Sequence, residues 1–99
     1  MTTKITFIIN NPENPEEFEK AFASIRPAIG TFPALEKFES AKVLPKEDGT
    51  PTPAYRTIDL YFANYEDACA AVESATAGEV VGGIMKAGGT FMGLFTEVE

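Results

Sequence analysis

Two stretches of the chain alternate apolar and polar residues with the period of a strand. Tyr55–Phe62 is the clearer one: Ile58, Leu60 and Phe62 fall on one face, and Tyr55, Thr57, Asp59 and Tyr61 on the other. Its first face is plain core, and its second is semi-polar, with an acid among phenols. Lys4–Ile9 is the second stretch. Ile5, Phe7 and Ile9 share a face, with Ile8 opposite them, so both of its faces are largely apolar. Between the two, Phe18, Phe22, Ile25 and Ile29 recur at helical spacing. Asn14 is placed to cap that helix, Pro15 suits its first position, and Glu16 and Glu17 favour the positive end of its dipole. The spacing predicts a helix from Pro15 to about Arg26, with Pro27 ending or kinking it.

The remaining pattern is weaker. Leu35–Leu44 reads as a strand whose best inward residues, Phe38 and Val43, have opposite parity; a β-bulge between them would reconcile the two. Pro45–Pro53 is a long loop, with three prolines and a tight Asp48-Gly49 pair. Asn64 caps a second helix with Asp67 three residues on, and Tyr65, Ala68, Cys69, Val72 and Thr76 form its inner side. Gly78 ends that helix or starts a short extra turn through Val80, Val81 and Ile84. Gly82-Gly83 and Gly88-Gly89 read as turns, and Phe91–Val98 as a last strand. The order β-α-β-β-α-β predicts an α+β, ferredoxin-like domain: an antiparallel sheet with both helices on one face. The other face is not polar enough to be left in water, and stacking two sheets in a homodimer would cover it.

Composition narrows the partners. The 99 residues make one domain, 1–99, and 8 Lys+Arg against 15 Asp+Glu give a formal net charge of −7. An acidic chain without clustered cations is not expected to bind nucleic acid or an anionic membrane. No apolar run has the length of a spanning helix, and Met1–Ile5 lacks the features of a signal peptide. Cys69 is the single cysteine, so no intrachain disulfide forms; a cytoplasmic location is expected. There is no histidine. That removes the usual haem ligand, zinc ligand and neutral-pH acid/base together, and a dedicated transition-metal site is not expected.

At this point the chain resembles a known family. The run Asn11-Pro12-Glu13-Asn14-Pro15-Glu16-Glu17-Phe18 is similar to the Asn-Pro-x-x-Pro-x-x-Phe segment of EthD-like proteins. So is the stretch from Pro53-Ala54-Tyr55 through Leu60-Tyr61-Phe62, with the capped helix from Tyr65-Glu66-Asp67-Ala68, and the glycine-rich approach to a strand ending Glu97-Val98-Glu99. The resemblance spans nearly the whole chain and includes no invariant catalytic string. It implies a dimeric α+β barrel. The wider superfamily includes cofactor-independent monooxygenases, muconolactone-type isomerases and polyketide cyclases, and EthD itself is associated with degradation of alkyl ethers. In one place the chain departs from the family: where EthD-like proteins commonly carry His-x-Pro late in the first helix, this chain has Ile25-Arg26-Pro27.

Proton chemistry then has few places to reside. Asp59, between Thr57 and Tyr61 on a barrel-facing strand, is the first candidate for a catalytic base, with Tyr61 assisting; partial burial would raise its pKa. The alternative is an acid paired with a lysine across the strand or interface. Tyr55 can donate to an oxygen-bearing ligand, or simply pack. Ile9, Phe22, Ile25, Phe38 and Tyr55 are the expected lining of an apolar pocket between the first helix and the sheet. Arg26 is better read as an exposed residue at a helix end than as a ligand contact. Cys69 lies on an apolar stripe and reads as core. The resulting expectation is an EthD-like protein that binds, or converts, a small hydrophobic oxygen-containing metabolite. Any activity would be isomerase-, cyclase- or oxygenase-like and cofactor-independent. The rival is a noncatalytic accessory or binding protein of a degradative or biosynthetic pathway, which Ile25 at the histidine position favours.

Overall fold

Hydrogen bonding in the central strands carries the alternation of the sequence directly into three dimensions. A computed structural model describes residues 1–99. The elements are β1 (Thr3–Ile9), α1 (Pro15–Ile29), β2 (Lys37–Lys42), β3 (Arg56–Phe62), α2 (Tyr65–Val72), α3 (Ala75–Lys86) and β4 (Phe91–Glu97). The strands form one four-stranded sheet in the order β2-β3-β1-β4, with every neighbouring pair antiparallel. This is the ferredoxin-like arrangement, with its second helix divided into two.

β1 and β3 are the inner strands, and every second residue of each is buried. Ile5, Phe7 and Ile9 lie beside Leu60, Ile58 and Arg56. The apolar members of that face pack with Phe18, Phe22 and Ile29 of α1, Ala68 and Ala71 of α2, and Val80 and Ile84 of α3 in one core. Asn14 and Asn64 cap α1 and α2 as expected, accepting from the N–H groups of Glu17 and Asp67.

Four details differ from the sequence reading. First, α1 continues through Pro27 to Ile29. Proline has no N–H to offer the preceding turn, but the extra turn buries Ile29 completely, which offsets the lost bond. Second, β2 has no bulge: its register with β3 runs in step from Lys37 opposite Tyr61 to Lys42 opposite Arg56. Phe38 and Val43 differ in parity because Val43 lies beyond the strand, where its N–H bonds to the Tyr55 carbonyl at 3.0 Å. Third, the short extra turn is a 12-residue helix, α3, started by Ser74.

Fourth, Gly82-Gly83 is helix interior rather than a turn. A Cβ at Gly83 would stand 2.8 Å from the Ile25 side chain, so this glycine lets α3 lie close against α1. The true end of α3 is a Schellman motif: Gly88 adopts φ +87°, its N–H bonds to the Met85 carbonyl, and that of Gly89 bonds to Ile84.

These glycines make opposite predictions. A Cβ at Gly89 would meet Phe18 at 2.9 Å and the Ile84 backbone carbonyl at 3.1 Å. Gly89→Ala is therefore expected to destabilise the fold by about 1–3 kcal/mol. Gly82 has nothing within 4 Å of such an atom, and Gly82→Ala should stabilise by about 0.5–1 kcal/mol through helix propensity. Urea denaturation of the two variants checks both signs.

Candidate functional site

The sheet divides the candidate residues into two groups that never meet. On the face away from the helices, cross-strand rows run Lys37–Tyr61–Lys4–Thr96, Glu39–Asp59–Thr6–Leu94 and Ala41–Thr57–Ile8–Met92. Asp59 accepts a hydrogen bond from the Thr6 hydroxyl, and Tyr61 donates to Glu39 at 2.8 Å. Lys37 stands 4.5 Å over the Tyr61 ring. Within the protomer, Asp59 is thus held by a threonine rather than by a lysine across the strand. Its direct neighbour on β2 is another acid, Glu39, an unfavourable cross-strand pairing unless cations lie near. The hydrogen bond to Glu39, followed by burial and the charges of Glu39 and Asp59, pushes the Tyr61 hydroxyl above its ordinary pKa. It is a proton donor already engaged.

The residues expected to line a pocket lie on the helix-covered side. Ile9 and Phe22 are buried, Ile25 meets Gly83, and Phe38 lies next to Gly30. They pack against one another's core instead of enclosing a space. The two surface depressions lie elsewhere: one of about 450 Å³ lined by Asn11, Glu13, Glu17, Lys86 and Thr90 among others, and one of about 250 Å³ beside Thr3, Tyr65 and Phe95. Tyr55 does not share the open face with Asp59. It precedes β3, where strand alternation no longer binds it, and its ring meets Phe18 of α1 edge-on at 5.5 Å. Arg26 is exposed in the last turn of α1, and Cys69 is half-buried on α2 beside Tyr65.

The polar centre of the helix-covered side is a residue the sequence reading passed over. Arg56 is 5% exposed, the only buried charged side chain in the chain. It opens β3 with the parity of Ile58, Leu60 and Phe62, which sends it under α1. That parity was the available signal: a cation on the core face of the central strand. Its Nη2 donates to both carboxylate oxygens of Glu19, at 2.9 and 3.1 Å, and its Nη1 donates to Ser40 Oγ at 2.8 Å. The guanidinium lies 4.4 Å over the Phe22 ring, a cation–π contact strengthened by exclusion of water. Its Nε is buried with no hydrogen-bond partner.

Lys42 completes the cluster with its Nζ 3.2 Å from Glu19. Burial by itself raises the Glu19 pKa, but the hydrogen bond from Lys42 and the charge and hydrogen bonds of Arg56 together hold it below the usual carboxylate value. Burial, and then the charge of the adjacent Glu19, push the Tyr55 hydroxyl up. Two cations, Arg56 and Lys42, thus converge on the single carboxylate of Glu19 at the edge of the helix–sheet layer.

The comparisons agree on the fold. The chain is similar over 100% of its own length and 100% of the other's to an ethyl tert-butyl ether D (EthD) family protein from Bacillus halodurans, with a TM-score of 0.84 at 18% identity. A dimeric ferredoxin-like protein of unknown function from Thermobifida fusca matches with a TM-score of 0.74 at 9% identity, covering 99% of this chain and 92% of that one. SnoaB, a cofactor-independent oxygenase from Streptomyces nogalater, matches with 0.65 at 13% identity over 99% and 91%. No protein-family model and no curated protein matches the chain. The EthD resemblance read from the sequence is thus present in the fold, and the α+β ferredoxin-like class is that of all three structures.

The lowered Glu19 pKa carries a stability consequence with a definite sign. A depressed folded-state pKa stabilises the fold above the unfolded value and is lost as pH falls through the folded value. The stability difference between the native protein and Glu19→Gln should therefore be full at pH 7 and shrink as pH drops below the ordinary carboxylate value of 4.5. Urea midpoints measured at pH 7 and at pH 3 test this; a difference that grows on acidification contradicts the assigned ion pair.

Proposed function

We propose that this protein is a homodimeric α+β barrel of the cytoplasm. It binds a small hydrophobic oxygen-containing metabolite at the edge of the α1–sheet layer, beside Arg56 where Glu19 covers it, and does so without metal or organic cofactor. The observation that carries the ligand reading is Arg56: a lone buried cation in an otherwise apolar helix–sheet layer, seated on an aromatic ring, with one donor left over. Buried polar groups without partners are rare in native proteins, and on this reading an atom of the ligand supplies the missing one. The dimer reading rests on the open face, where Met92 and Leu94 are 59% and 41% exposed beside Ile8. Lys4 and Lys37 on the same face complement Glu39 and Asp59 of a second copy. Dimeric ferredoxin-like proteins among the similar structures support the same assembly.

On this reading Leu94→Glu places a charge in the sheet–sheet layer and converts the dimer to monomer in sedimentation equilibrium, while the circular dichroism of the fold is kept. A wild-type protein that sediments as a monomer removes the dimer.

Catalysis by Asp59 assisted by Tyr61 is the second reading. In its favour, both side chains share the open face that the barrel would enclose, and Thr6 orients the Asp59 carboxylate. It requires that Asp59→Asn abolish turnover of a metabolite that binds, with the dimer intact. Unchanged turnover assigns Asp59 to the interface alone.

A further inference from the structure

We infer that the ligand is an oxyanion, a carboxylate, enolate or phenolate on a small apolar body, and that Glu19 is an internal occupant of its site which the ligand displaces. The inference rests on the binding reading above and specifies the chemistry of that site.

Three observations converge. The first is charge. Arg56 and Lys42 both contact Glu19, and Glu19 is the acid in their salt bridges. The cluster therefore carries one uncompensated positive charge inside a chain of formal net charge −7. Arg56, the buried cation, needs a partner and has one in Glu19; once Glu19 turns outward, an anion can take its place between Arg56 and Lys42 where a neutral ligand would leave the buried charge unpaired.

The second is hydrogen-bond geometry. Guanidinium groups bind carboxylates best as a fork, two parallel N–H groups to two oxygens. Glu19 does not use the fork: both of its oxygens meet Nη2 alone, while Nε is left unpartnered. Glu19 reaches Arg56 from one turn of a helix fixed by the packing of Phe18 and Phe22, and so cannot choose its approach. A free anion is under no such constraint. It can bridge the fork, satisfy Nε and accept from Lys42.

The third is access. The Glu19 side chain retains 31% of its exposure and Lys42 65%, against 7% for Arg56. Glu19 therefore covers Arg56 from the solvent side. Turning its side chain outward exposes a cation seated on the Phe22 ring, and the apolar body of the ligand would lie beside it. No covalent step is involved; one carboxylate replaces another.

The test uses the whole 99-residue chain and two probes of the same shape, benzoate and its neutral counterpart benzamide, titrated while the Arg56 Nε–H and backbone amide resonances are followed by NMR. Benzoate should shift the Arg56 Nε–H signal and benzamide should not. Glu19→Gln removes the competing charge, and should bind benzoate about tenfold more tightly than wild type, the factor expected from losing one charge-assisted competitor. If Glu19→Gln fails to fold, Lys42→Met, a change at a largely exposed side chain, should weaken benzoate binding to the wild-type framework. Benzamide binding as well as benzoate without moving the Arg56 signal overturns the oxyanion assignment but leaves the small-molecule reading intact. Binding of neither probe at millimolar concentrations, in wild type and both variants, overturns the two together. Tighter binding to the wild type than to Glu19→Gln overturns the displacement by Glu19.

Discussion

Strand alternation in β1 and β3 is the constraint on which the rest of the structure depends. Because successive side chains leave opposite faces of a strand, the antiparallel register of these two strands sorts every residue they carry into one of two environments. Ile5, Phe7, Ile9, Ile58, Leu60 and Phe62 are committed to the helix side, and the helices have to supply an apolar complement there. The same rule sends Arg56 inward with them and Asp59 and Tyr61 outward. A one-residue slip would reverse all of these at once, so the register that forms the core also decides which chemistry can meet which.

From that sorting follows the character of each face. Inside, a cation arrives in an apolar layer and has to be compensated. Glu19 of α1, Ser40 and Lys42 of β2 and the ring of Phe22 assemble around it. The resulting cluster ties α1 to the β2–β3 edge, while Gly83 brings α3 against α1 on its other side. Outside, the carboxylates of Glu39 and Asp59 sit opposite one another and find hydroxyl donors in Tyr61 and Thr6. The exposed apolar residues of β4 adjoin them. On the proposed reading, one face is the recognition site and the other the surface that meets a second copy.

Much of this was legible in the sequence. The alternation of Thr57–Phe62, the capping residues Asn14 and Asn64 and, apart from the division of the second helix, the βαββαβ order hold, because local signals and tertiary packing agree there. The failures occur where packing overrides local preference. Pro27 reads as a stop, yet the burial of Ile29 carries α1 past it. Gly82-Gly83 reads as a turn because two glycines are poor helix formers, and only the approach of Ile25 gives Gly83 its purpose. The expected pocket around Phe22, Phe38 and Tyr55 lies in the right layer but is filled, since periodicity identifies inward residues without saying whether they leave space. Arg56 was missed because charged residues are read as surface by default, although its parity with Ile58 already placed it inside.

The central claim is that Arg56 is held beneath α1 by Glu19, and a double-mutant cycle on Glu19→Gln and Arg56→Met, measured by urea denaturation at pH 7, tests it most directly. The two side chains should be coupled by about 0.5–3 kcal/mol, the range for residues in one hydrogen-bond or salt-bridge network, with the double variant more stable than the sum of the single losses implies. A coupling near zero, with additive losses, would mean that the two residues do not meet, and the recognition site built on their contact would go with it.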